Sequence, residues 1–98
     1  MSYFNIYTWM IDKLKLQGDL LLAYALIFSS LRFHQNTFLL FSDTVDSMSR
    51  LFKSDKEKTV KVIEELEKQK LIELDRCHVN GQLYAAMHIY VPDDRYDS

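Results

Sequence analysis

The sequence predicts a small α+β domain, four helices with a three-stranded antiparallel sheet, on three observations. An Asn80-Gly81 pair separates two extended apolar runs. An uncharged apolar run, Leu20 to Phe28, reads as a buried helix and is far short of the ~20 residues of a membrane span. Apolar residues then recur at helical spacing on both sides of a short polar joint at Lys53-Ser54.

From the N-terminus, Thr8 is expected to cap a short amphipathic helix whose apolar side is Met10, Ile11 and Leu14, and Gln17-Gly18 to break it. Asp19 caps the following helix, which runs through about Phe33 and is buried nearly all round. His34-Gln35-Asn36 reads as a polar loop. The six residues Thr37 to Ser42 read as a short strand, bounded as they are by polar residues. Ser42 or Asp43 starts a third helix carrying Val45, Met48, Leu51 and Phe52. After the Lys53-Ser54 joint, Ser54 and Glu57 have capping-box spacing, with Asp55 as the competing cap of a fourth helix. Ile63 and Leu66, flanked by Thr59, Val60 and Val62, give that helix its buried face.

The runs Leu71 to Val79 and Gln82 to Val91 form a hairpin, because Asn-Gly supplies the positive φ angles of a two-residue type I′ turn. That turn pairs Val79 with Gln82, Cys77 with Tyr84, Asp75 with Ala86 and Glu73 with His88. Alternation then puts Ile72, Leu74, Leu83, Met87, Ile89 and Val91 on the core face. Helix, helix, strand, helix, tight turn, helix, hairpin is the order of a winged helix-turn-helix. The short strand at 37–42 is the expected third strand beside the hairpin at 71–91. Residues 1–92 form the domain, and 93–98 an acidic tail or the start of a linker.

Composition narrows the functions. The 98 residues are 48% hydrophobic and 27% charged, an ordinary globular balance. The only glycines, Gly18 and Gly81, stand far apart, which excludes a Gly-rich phosphate loop. The single cysteine, Cys77, excludes an internal disulfide and reads as a small packing residue. With no secretory signal pattern at the N-terminus and no membrane-length run, a cytoplasmic location is expected. The histidines His34, His78 and His88 do not converge, since the hairpin register sets His78 on the face opposite Cys77 and His88; no metal site is expected. The carboxylates Glu64, Glu65 and Glu67 lie among Lys61 and Lys68, where Glu64–Lys68 has favourable helical spacing, as on a solvated helix face. Nothing marks a catalytic constellation, a cofactor or a small-molecule substrate.

Net charge is −2, and Asp93, Asp94, Arg95 and Asp97 account for it, so the rest of the chain is neutral. Nucleic-acid binding therefore requires a local patch. Residues 53–61 carry four lysines against Asp55 and Glu57, whereas 62–70 carry two lysines against three glutamates. In a helix-turn-helix the second helix presents its N-terminal turns to the major groove, so positive charge gathers where DNA would lie. The candidate contacts are Lys53, Lys56, Lys58 and Lys61, with Arg76, the only Lys or Arg of the hairpin. No arginine stands on the fourth helix, so its lysines hold phosphates and choose little among sequences.

Gly18-Asp19-Leu20-Leu21-Leu22-Ala23-Tyr24-Ala25-Leu26-Ile27, the segment Glu65-Leu66-Glu67-Lys68-Gln69-Lys70-Leu71-Ile72-Glu73 and the closing His88-Ile89-Tyr90-Val91 resemble the N-terminal winged-helix domains of Gram-positive plasmid and phage replication initiators, of replisome-organiser type. The likeness covers roughly residues 3–92, in short motifs shared by many winged-helix regulators. It implies binding of origin or operator DNA, a replication or regulatory role, and Lys56, Lys58 and Lys61 at DNA-facing positions. Two positions depart from the pattern. Lys70 stands where the family has a helix-closing glycine, and Glu57 where it has a basic residue. Glu57 would meet phosphate unfavourably unless held in the capping box, and it is also an acceptor for a cytosine amino group.

The expected partner is double-stranded DNA. The aromatic stretch Tyr3 to Ile11 holds more large apolar groups than one short helix buries; it is a candidate homodimer interface or a roof over the core. The competing function is a protein-interaction module that kept the fold without the DNA surface.

Overall fold

The hairpin anchors the architecture. In the computed structural model, which describes residues 5–34 and 38–93 (side chains of 5–29 and 38–93), Asn80 and Gly81 both adopt positive φ, 52° and 78°, the combination a type I′ turn requires. The described chain runs α1 (Thr8–Asp12), α2 (Gly18–His34), β1 (Leu39–Leu40), α3 (Phe41–Phe52), α4 (Lys56–Lys68), β2 (Ile72–Val79) and β3 (Gln82–Ile89). These are four helices and a small antiparallel sheet in the order β1-β3-β2. All four predicted cross-strand pairs are present, from Glu73↔His88 to Val79↔Gln82. A further bond from the Tyr90 amide to the Leu71 carbonyl, 2.8 Å, extends the ladder past Ile72.

The core lies between the helices and the inner sheet face. Ile72, Leu74 and Ala85 are buried there, with Met87, Ile89 and Val91 packed against them. The helices contribute Met10, Ala23, Tyr24, Ile27, Val45, Met48, Ile63 and Leu66. Tyr24 sits inside this cluster yet donates its hydroxyl to the Tyr90 carbonyl at 2.5 Å, so the polar end of a buried ring is satisfied and α2 is tied to the end of β3. Beyond Asp75 the hairpin leaves the body: residues 75–82 are all exposed.

Several local expectations are corrected. The strand at 37–42 is only Leu39–Leu40, paired with Ala85 and Tyr84, because Phe41 and Ser42 belong to α3; Thr37 lies outside the described residues. The reason is periodic: Phe41, Val45, Met48 and Phe52 recur at i, i+4, i+7 and i+11, one helical stripe that reaches back through the supposed strand. Leu51, expected on that stripe, lies on its flank and is exposed. Ile11 is likewise exposed, since the short α1 buries Trp9 and Met10 instead. Thr8 is the first residue inside α1, and Tyr7 precedes it without a side-chain cap. Cys77 is exposed on the projecting ribbon and packs nothing into the core.

The N-terminal aromatics turn inward where they are described. Trp9 meets Tyr24 and Phe28 edge-on at centroid distances of 6.0 and 5.5 Å, and Tyr7 stacks on Trp9 at 6.1 Å. Tyr7, Trp9 and Met10 thus roof the core, leaving Ile6 and Ile11 as the exposed apolar groups of this segment. Tyr3, Phe4, Gln35, Asn36 and the tail from Asp94 lie outside the described residues.

Candidate nucleic-acid interface

The joint between α3 and α4 sets the site. Lys53, after the last turn of α3, adopts the left-handed conformation (φ 52°), and the Ser54 amide returns to the Ser49 carbonyl at 3.1 Å. This closes α3 and redirects the chain within two residues. Asp55 then caps α4: its Oδ1 accepts from the Lys58 amide at 2.7 Å. The capping question is thereby decided for Asp55. With Asp55 as cap, Glu57 is the second helical residue and lies exposed in the first turn.

Beneath the joint three hydroxyls meet. Ser49 Oγ and Thr59 Oγ1 lie 2.8 Å apart, Ser54 Oγ is 3.3 Å from Thr59 Oγ1, and Thr59 also donates to the Asp55 carbonyl at 3.1 Å. Thr59 and Ser49 are 1% and 8% exposed, so the bond between them forms out of water, and together the three contacts fix how α4 leaves α3. Thr59, Ile63 and Leu66 point inward; Lys56, Glu57, Lys58, Lys61 and Glu64 stay exposed. The amphipathic pattern of α4 thus turns its charged face to solvent.

Lys53, Lys56, Lys58 and Lys61 are brought to the joint and the first two turns of α4, as the spacing predicts. Two of them carry carboxylate partners from other elements. Lys56 Nζ is 3.0 Å from Asp46 of α3, and Lys58 Nζ is 3.7 Å from Asp19 of α2. Both pairs are open to water, Lys56 at 71% and Lys58 at 61% side-chain exposure. Among the described residues neither Lys53 nor Lys61 has an ion pair.

Arg76 is placed elsewhere. Its guanidinium makes two 3.0 Å hydrogen bonds to the Glu67 carboxylate, which hold it above its ordinary basicity against the opposing effect of desolvation, and the charges of Glu67 and nearby Glu64 add to the rise. Glu67 belongs to the last turns of α4, about 16 Å along the axis from Lys56 at ~1.5 Å per residue. Arg76 therefore clamps the base of the ribbon to the far end of the helix. On the outer face of the ribbon His88 Nε2 lies 2.8 Å from Asp75 Oδ2.

Sequence reasoning missed Arg50, Asp46 and Asp19. Arg50, exposed in the last turn of α3, lines a depression with Asp46, Ser49, Ser54, Asp55 and Lys56, which puts a fifth cation beside the α4 N-terminus. Its only signal was its position one turn before the joint. A second, more apolar cleft is lined by Leu40, Phe41, Val45, Val60 and Leu83, with the Asp46–Lys56 pair at its rim. Among the described residues no three metal-ligating side chains lie together, and no helix is long and apolar enough to cross a membrane. No family model, curated protein or solved structure matches the chain.

Proposed function

We propose that this chain is a winged helix-turn-helix domain that binds double-stranded DNA with α4. The observation that carries the reading is the exposed, lysine-bearing N-terminal half of α4 next to a solvent-projecting β-ribbon. The connectivity supports it: α3, a three-residue joint, α4 and a hairpin whose inner strand also pairs with β1 follow the order of winged-helix readers. The motif resemblance to plasmid and phage replication initiators makes origin or operator DNA, and a replication or regulatory role, the reading within this class.

The mechanism is electrostatic. A helix fits the major groove, and its first turns set ammonium groups against phosphates on either side. Lys53 and Lys61 meet phosphate directly; Lys56 and Lys58 exchange a carboxylate for it. Exposed ion pairs are worth about 0–1 kcal/mol, so this exchange is within reach of a phosphate contact. Glu57 points from the same turn as an acceptor for a cytosine amino group. The ribbon tip, Val79-Asn80-Gly81-Gln82, has no cation and touches backbone through neutral hydrogen bonds; Arg76 reaches a phosphate only by leaving Glu67.

Binding of a fluorescent duplex across a salt series tests this. Four lysine–phosphate contacts give a slope of log affinity against log salt of about −3.6. Lys56→Glu with Lys61→Glu abolishes binding and leaves the circular dichroism spectrum unchanged. Unaltered duplex binding by that double variant refutes the site. A second reading, a protein-interaction module, is favoured by the apolar cleft beside the exposed Phe38 and Leu39. Concentration-dependent self-association without duplex binding at ~50 mM salt decides for it.

A further inference from the structure

The two carboxylates that hold the DNA-facing lysines come from outside α4. Asp46 stands mid-way along α3 and reaches Lys56 at 3.0 Å; Asp19 stands in the first turn of α2 and reaches Lys58 at 3.7 Å. Each partner is itself substantially exposed, 39% for Asp46 and 52% for Asp19. Neither pair closes a core, and neither carboxylate has a hydrogen-bonded cap role among the described contacts. Lys53 and Lys61, on the same surface, carry no such restraint. The asymmetry is therefore specific to two of the four lysines.

We infer that Asp46 and Asp19 are affinity-limiting residues of the duplex-binding surface: each holds one lysine in the free protein and must release it before phosphate takes its place. This rests on the reading of α4 as the DNA-binding helix. Releasing the lysine costs the free protein its ion pair, which offsets part of the free energy gained when the freed ammonium group meets phosphate. The restraint acts alike on every sequence, so it lowers non-specific affinity, the term that lysine–phosphate contacts otherwise make large.

The test is a double-mutant cycle on the full chain with a fluorescent random-sequence duplex at ~50 mM salt, where exposed charges are least screened. Asp46→Asn tightens binding about threefold, the size of an exposed pair, and Asp19→Asn does the same. The gain from Asp46→Asn disappears in a Lys56→Met background, and that from Asp19→Asn in a Lys58→Met background. Glu73→Gln, an equal change of net charge on the outer face of β2, leaves affinity unchanged. If Lys56→Met and Lys58→Met weaken binding while Asp46→Asn and Asp19→Asn do nothing, the inference falls and α4 remains the DNA-binding helix. A gain that persists without its lysine shows that the carboxylate acts on DNA directly and also overturns it. Absence of duplex binding by the wild type and every variant removes the inference and the functional reading together.

Discussion

Replacing Lys70 by glycine should stabilise this domain, although it deletes a side chain from the exposed end of α4. Lys70 follows the α4 cap residue Gln69 with φ 63°, in the left-handed region. The geometry around it is a complete helix-closing motif: the Leu71 amide bonds the Leu66 carbonyl at 3.0 Å and the Lys70 amide bonds the Glu67 carbonyl at 3.0 Å. Leu71 and Leu66, which flank the motif, are both buried, so the left-handed turn is imposed by packing. A residue with a Cβ gives up about 1–2 kcal/mol there, and glycine returns roughly 0.5–1 kcal/mol of this through its freer unfolded chain, leaving a net gain of ~0.5–1 kcal/mol. For a domain of this size that is a rise in Tm of about 2–8 °C. The internal control is Lys68→Gly, inside α4, which costs about 1 kcal/mol by the same conformational argument with the opposite sign. Thermal and urea unfolding of both variants measure the effect. A Lys70→Gly variant that unfolds as early as Lys68→Gly refutes the left-handed assignment.

Two further substitutions probe the frame that positions the surface. Thr59→Val keeps the shape of the buried joint but strands the Ser49 hydroxyl, lowering stability in urea unfolding by ~1–3 kcal/mol; adding Ser49→Ala recovers most of the loss, and simple additivity would contradict the hydroxyl pairing. Gly81→Ala places a methyl group in open space, with nothing within 4 Å, so its cost of about 1 kcal/mol is purely the positive φ of the turn, and equal stability to wild type would deny the type I′ geometry.

The parts of the fold that were legible in the sequence were those fixed by local rules. Asn80-Gly81 set the hairpin register residue by residue, because a two-residue turn leaves one pairing open. The α3–α4 joint was legible from its polar break, but its cap was not: Ser54 and Glu57 have capping-box spacing, and only the folded joint gives the cap to Asp55. What failed were choices that tertiary packing makes. Phe41 and Ser42 were claimed by the stripe of α3, and Ile11 and Leu51 were left outside by neighbours that offered more contact. Cys77 looked like packing because the sequence does not say where the ribbon parts from the body. The lysine cluster was legible as composition, whereas its carboxylate partners were not. Asp19 and Asp46 lie in other helices, and only folding brings them to Lys58 and Lys56. Arg76 was assigned by elimination as the hairpin's one cation; its bidentate partner Glu67 became visible only once the base of the ribbon was packed on α4.

The most direct measurement is an amide 15N–1H titration with a short duplex at low salt. Progressive shifts confined to Lys53–Lys61, Arg50 and the tip Val79–Gln82, fading as salt rises, are the predicted outcome. Shifts confined to α1 or to the cleft around Phe41 and Leu83, with α4 silent, would contradict it.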